Sequence, residues 1–212
     1  MSEARITAID TEAVRGFLHE PSNTSGAGLV LTHGAGSDCT APLLVTVAAQ
    51  FCDSGFTVLR CDLAFRRKRP KGPPSPATAA ADRAGLVDAI AALHAQISGK
   101  IYLGGHSYGG RQASMLAAER PDTAAALLLL SYPLHPPNKP AQLRTQHFPL
   151  LRVPALFVSG TKDGFGTIVE IDAAIKAIPA ATRLIAIDGA GHDLKRGRFD
   201  LAMVPEVLRS LA

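Results

Sequence analysis

A serine flanked by glycines carries the first chemical signal in this 212-residue chain. Gly104-Gly105-His106-Ser107-Tyr108-Gly109-Gly110 follows Lys100-Ile101-Tyr102-Leu103, which reads as a strand, and precedes Arg111 to Glu119, which reads as a helix. A Gly-x-Ser-x-Gly elbow demands that order, because the serine occupies a strained turn and a side chain at Gly105 or Gly109 would collide with neighbouring backbone. Ser107 is therefore the candidate nucleophile. The three fixed positions recur by chance in roughly one chain in fifteen of this length, so their context decides. The chemistry needs a strand before, a helix after, and an acid and a histidine further along the chain.

The elements that would position such residues alternate along the chain. Arg5 to Asp10 and Ala13 to His19 predict an antiparallel hairpin at a sheet edge. Gly28 to Thr32 predicts a short buried strand ending in His33-Gly34-Ala35-Gly36, then a helix from Ala41 to Ser54 and a strand from Phe56 to Cys61. Leu63 to Pro76 reads as a loop with four prolines, and alanine-rich Ala77 to Ile97 as a helix leading to the nucleophile strand. Thr123 to Ser131, apolar on both faces, predicts a central parallel strand. Tyr132 to Val153 holds five prolines and little periodicity. A strand from Ala155 to Ser159, a helix from Thr167 to Ile178, a strand from Thr182 to Ile187 and a helix from Arg198 to Leu211, interrupted or kinked near Pro205, complete the reading.

This pattern predicts a single α/β domain over residues 1–212, with a mostly parallel sheet covered by helices on both faces. Sites in such sheets form beyond the carboxyl ends of the strands. His33 to Gly36, Ser107, Asp163 and His192 all follow predicted strands.

Composition narrows the class. With 47% hydrophobic and 19% charged residues the chain reads as globular. Met1 to Thr7 has no apolar segment behind a basic one, and the longest apolar run, Ala124 to Leu130, is too short to span a bilayer, which predicts a soluble, cytoplasmic protein without membrane association. Cys39, Cys52 and Cys61 show neither an even count nor C-x-x-C spacing, so reduced, structural cysteines are expected rather than disulfides or zinc ligands. The net charge of +4 is local: Arg66, Arg67, Lys68, Arg69 and Lys71 supply five positive charges, and the remainder is nearly neutral. One basic loop without aromatic stacking residues does not make a nucleic-acid binder.

Taken together, His33-Gly34-Ala35-Gly36, Gly105-His106-Ser107-Tyr108-Gly109, Ser159-Gly160-Thr161-Lys162-Asp163 and Gly191-His192-Asp193 resemble the α/β-hydrolase superfamily over nearly the whole chain. The resemblance is closest to small, lid-less, dienelactone-hydrolase-like members, a group that includes proteins similar to testis-expressed protein 30 and NSL complex subunit 3. It implies Ser107 as nucleophile, His192 as general base and later acid, and Asp163 as the carboxylate that orients His192. It also implies an oxyanion hole from the backbone N–H groups of Ala35 and Tyr108. Cleavage of a small carboxylic ester, thioester or lactone through an acyl-serine follows, with no metal or organic cofactor and a small acyl compound as partner. A different reading is a fold retained as a binding or scaffold module with little turnover. Dinucleotide binding is disfavoured, because His-Gly-Ala-Gly stands where Gly-x-Gly-x-x-Gly would be needed.

Several neighbours carry alternatives. His33 is expected to shape its turn and His106 to pack beside the elbow. Asp62 reads either as a loop cap or as a substrate contact, and Arg111 as a partner of Asp62 or of a substrate anion. The basic run is either solvated or draws anions to the site. Asp188 and Asp193 are rival acids for His192. Tyr132 to Val153 is too short for a lid, so a shallow, open site is expected.

Overall fold

The structure, a computed structural model, describes residues 4–195 and 201–212. Its strands are β1 (Arg5–Asp10), β2 (Arg15–Glu20), β3 (Gly28–Thr32), β4 (Thr57–Cys61), β5 (Ile101–His106), β6 (Leu127–Leu130), β7 (Ala155–Gly160) and β8 (Thr182–Ile187). They form one sheet in the order β1-β2-β4-β3-β5-β6-β7-β8. β1 pairs antiparallel with β2, and β2 antiparallel with β4, so the expected hairpin lies at the edge. Every pairing from β4 to β8 is parallel.

Two apolar layers sandwich the sheet. On one face Leu86 and Leu93 of α3 (Ala79–His94), Leu116 of α4 (Tyr108–Glu119) and Ile171 of α5 (Ile168–Ile175) join one buried cluster. On the other, Leu44 and Phe51 of α1 (Pro42–Asp53) and Val204 and Leu208 of α6 (Val204–Arg209) join a second. β6 shows why the central strands read as unbroken apolar runs: Leu127 and Leu129 enter the first cluster, Leu128 and Leu130 the second, and all four are fully buried. Each such leucine contributes about 2 kcal/mol of burial free energy.

The site follows from the topology. α1 carries the chain from β3 to β4 on one side, while α4 carries it from β5 to β6 on the other. A crevice therefore opens beyond the carboxyl ends of β3 and β5, where the order reverses.

One expectation needs correction. The 63–76 loop contains a helix, α2 (Ala64–Lys68), whose Phe65 and Arg66 are buried. The final helix is interrupted near Pro205, as expected: a 3-10 turn over Leu201–Met203 passes into α6, and Pro205 sits in the first turn of α6, where its missing N–H costs nothing. The expected start of that helix, 198–200, lies outside the described residues. Residues 132–153 hold only a 3-10 turn at Phe148–Leu150, so no lid is built there. Among the described residues no helix is long and apolar enough to cross a membrane.

Candidate active site

Ser107 closes the turn between β5 and α4 with φ 51° and ψ −116°, a conformation costly for a residue with a side chain. The surrounding packing enforces it. A Cβ at Gly105 would lie 2.8 Å from the Gly109 carbonyl carbon and 2.9 Å from Thr32 O, and one at Gly109 would lie 2.5 Å from His33 O. The Ser107 N–H donates to Leu130 O at 2.8 Å, which fixes the elbow to the neighbouring strand end.

From this turn the Ser107 hydroxyl reaches His192 Nε2 at 2.8 Å. His192 Nδ1 lies 2.8 and 3.0 Å from the two carboxylate oxygens of Asp163. A carboxylate can only accept, so Nδ1 carries the proton and Nε2 is left to accept from Ser107. Asp163 also accepts from the Phe165 N–H at 2.8 Å, and its side chain is wholly buried. The Phe165 ring stacks on His192 with centroids 4.1 Å apart.

The two rival acids are engaged elsewhere. Asp188 accepts from Thr161 Oγ1 at 3.2 Å, and Asp193 pairs with Lys195 at 3.4 Å. The loops after β7 and β8 are stitched together, with Thr161 N–H donating to Ile187 O and Lys162 N–H to Ala190 O, which brings Asp163 beside His192.

The remaining histidines support the frame. His106 Nε2 bonds the His192 carbonyl oxygen at 2.8 Å, pinning the loop that bears His192, and burial pushes its pKa down. His33 accepts the Leu63 N–H at Nε2 (3.1 Å), so Nδ1 donates to Gly34 O (2.8 Å), and burial holds it below the usual histidine range. It shapes the turn, as expected. His147 Nε2 lies 2.8 Å from Ser114 Oγ, and Arg60 Nε bonds His19 Nε2 at 2.8 Å.

Asp62 caps a loop, one of its two expected roles, the expected pairing of Arg111 with Asp62 does not form, and Arg66 departs from its expected role. Asp62 accepts from Arg15 Nε and from the Cys39 N–H, both at 2.8 Å, and does not pair with Arg111. Arg111 instead lines the cavity beside Ser107. Arg66 is buried rather than solvated, and its guanidinium donates to the carbonyls of Ala35 (3.0 Å), Ser37 (2.9 Å), Arg69 (3.3 Å) and Gly72 (3.1 Å). Arg66 thus clamps the 33–37 turn. Asp82, unremarked in the sequence, is fully buried and accepts from Tyr108 Oη and the Phe65 N–H, each at 2.8 Å. Its only sequence signal is an acid in the first turn of an alanine-rich helix.

Ser107 and His192 face a cavity of about 780 Å³. Its walls include Pro73, Pro74, Pro76, Tyr108, Pro133 and Phe165, so two proline-bearing loops border the site. Ala35 lines it too, and neither its backbone N–H nor that of Tyr108 has a hydrogen-bond partner among the described residues. Nor do those residues gather three or more His, Cys, Asp or Glu side chains as a metal would require.

Comparison with known proteins agrees with this architecture. The family model described as "Alpha/beta hydrolase domain" matches residues 25–209. Dienelactone hydrolase from Anabaena variabilis is similar with TM-score 0.74 and 22% identity, over 99% of this chain and 97% of that one. An α/β serine hydrolase homologue from Coxiella burnetii gives 0.71 and 21% over 98% and 97%. A Xanthomonas campestris α/β serine hydrolase described as without a lid gives 0.67 and 16% over 99% and 94%. At these identities the shared feature is the fold.

Proposed function

The chain belongs to the α/β-hydrolase domain family, and from that premise we propose that it is a serine hydrolase cleaving a small carboxylic ester, thioester or lactone through an acyl-serine intermediate. The observation that carries the reading is the unbroken hydrogen-bonded chain Ser107–His192–Asp163, with contacts of 2.8 Å on both sides of the imidazole. Serine is a weak nucleophile until its proton has somewhere to go, and His192 Nε2 stands where it can accept it.

As Ser107 Oγ attacks the carbonyl carbon, its proton passes to Nε2 and the carbonyl oxygen takes the negative charge. The Ala35 and Tyr108 N–H groups donate to that oxyanion, the latter helped by the positive end of α4. Asp163 balances the imidazolium without taking its proton. Collapse of the adduct breaks the bond to the alcohol, thiol or ring oxygen, which leaves with the proton from Nε2. Water then repeats the sequence, with His192 as base, and frees the acid. Every charge is met by a protein group, so the steps need no metal or organic cofactor.

Labelling with a fluorophosphonate and turnover of 4-nitrophenyl butyrate test the reading. Wild type is expected to do both, and Ser107→Ala to abolish labelling and lower turnover by about 10³-fold or more with the fold intact. A wild type that neither labels nor outpaces the mutant on any ester would leave the scaffold reading in its place.

A further inference from the structure

Resting on that reading and extending it to substrate class, we propose that Arg111 and Arg144 form an anion subsite in the cavity, and that the ester cleaved carries a carboxylate. Both side chains line the same cavity as Ser107 and His192. Neither forms an ion pair with any described residue. Asp62, the acid that sequence reasoning offered Arg111, is held by Arg15. Arg111 Nε is buried without a hydrogen-bond partner, an unmet donor on a guanidinium whose residue lines the cavity.

No described carboxylate pairs with either guanidinium, and Asp82, which lies beyond Tyr108, is taken up by the Tyr108 hydroxyl and the Phe65 N–H. Around the pair stand the Tyr132 and Tyr108 hydroxyls, which burial keeps protonated, and His147, held neutral by burial with its pKa at about 4. Burial and the nearby charge of Arg111 both depress Arg144. Two guanidiniums kept near each other without a counter-ion form half of an ion-pair network, and a carboxylate in the cavity supplies the other half with the planar geometry a guanidinium matches.

The subsite is also pre-built. The Arg144 N–H donates to Leu134 O at 2.8 Å, and its carbonyl accepts from Tyr132 Oη at 2.7 Å. The Arg111 carbonyl accepts from Ser114 Oγ at 2.9 Å, and Ser114 bonds His147 on the loop that bears Arg144. α4 and the 132–153 segment are thereby tied at the point where they present the two cations.

The test compares kcat/KM for mono(4-nitrophenyl) glutarate with that for neutral 4-nitrophenyl butyrate, which places the charge in the acyl half. 4-Butyryloxybenzoate against phenyl butyrate places it in the alcohol half. In at least one pair the wild type is expected to favour the anionic ester, and Arg111→Gln and Arg144→Gln each to lower that preference about tenfold or more. Equal ratios in wild type and both variants, for both pairs, overturn the subsite. Should Arg111→Gln fail to fold, Arg144→Gln decides the comparison.

Calorimetric titration of monomethyl glutarate and 4-butyryloxybenzoate into Ser107→Ala separates the two readings. Saturable binding that Arg144→Gln removes, in a protein whose wild type turns over no ester, keeps the subsite and discards the hydrolase. Turnover of neutral esters without arginine-dependent preference or binding does the reverse.

Discussion

His192 has one protonation pattern that serves both neighbours, because the Asp163 carboxylate claims a proton at Nδ1 and leaves Nε2 as an acceptor. Replacing the carboxylate by an amide removes that discrimination, since the amide NH2 can donate to Nδ1 and hold the opposite tautomer. Asp163→Asn is expected to lower ester turnover by up to about 10⁴-fold with the fold retained, and Asp188→Asn to cost far less, the two compared on one ester. Near-normal turnover in the first with collapse in the second would reverse the assignment. The residues brought together here were legible because each follows a strand and because the glycines around Ser107 carry a steric reason visible in the sequence. Phe165 and Asp82 were not legible. A phenylalanine two positions after an acid has many uses, and its stacking on His192 depends on how two loops meet in space. Arg111 was legible as a choice between two partners, and the placement of Arg15 beside Asp62 removes one of them.

Among the elements, α2 and the turn it supports show what hydropathy reading misses. Five cations in six residues read as solvent-facing, yet Phe65 and the stem of Arg66 are the buried side of a one-turn helix. Removing this buried guanidinium takes the donor from four backbone carbonyls, and those of Ala35 and Ser37 lie in a half-buried turn. Arg66→Met is therefore expected to cost about 2–4 kcal/mol in urea unfolding. Because the Ala35 carbonyl is one of the four, it should also lower kcat more than it raises KM. Exposed Lys68→Gln is expected to change neither. Loss of stability without loss of kcat in Arg66→Met would mean that the clamp serves the fold alone. Strand positions, by contrast, were readable to within a few residues. Parallel strands buried on both faces announce themselves, whereas helix ends depend on caps such as the Thr167–Glu170 box, which starts α5 one residue later than expected.

For the molecule as a whole, the order of strands and helices made the fold class readable, because few topologies accommodate such an alternation. The narrower likeness to testis-expressed protein 30 and NSL complex subunit 3 stays an expectation. Buried neutral histidines give the fold an acid limit. Burial, then Arg60, brings His19 to about 4, and burial, then Arg111 and Arg83, brings His147 to about 4, against 6.5 when unfolded. Between those values the unfolded chain binds more protons, so stability is intact above pH 6.5 and is lost as pH falls toward 4. Urea midpoints measured from pH 7 to 4.5 should fall accordingly, and His19→Gln with His147→Gln should flatten the slope. An unchanged slope would place the acid sensitivity elsewhere. The three partners also hang on three separate strands, β5, β7 and β8, with 85 residues between Ser107 and His192. Read as time, at about 5–20 residues per second, a ribosome adds the serine roughly 4 to 17 seconds before the histidine. Throughout that interval the proposed nucleophile has no base beside it, and the site is completed only as the far side of the sheet is delivered.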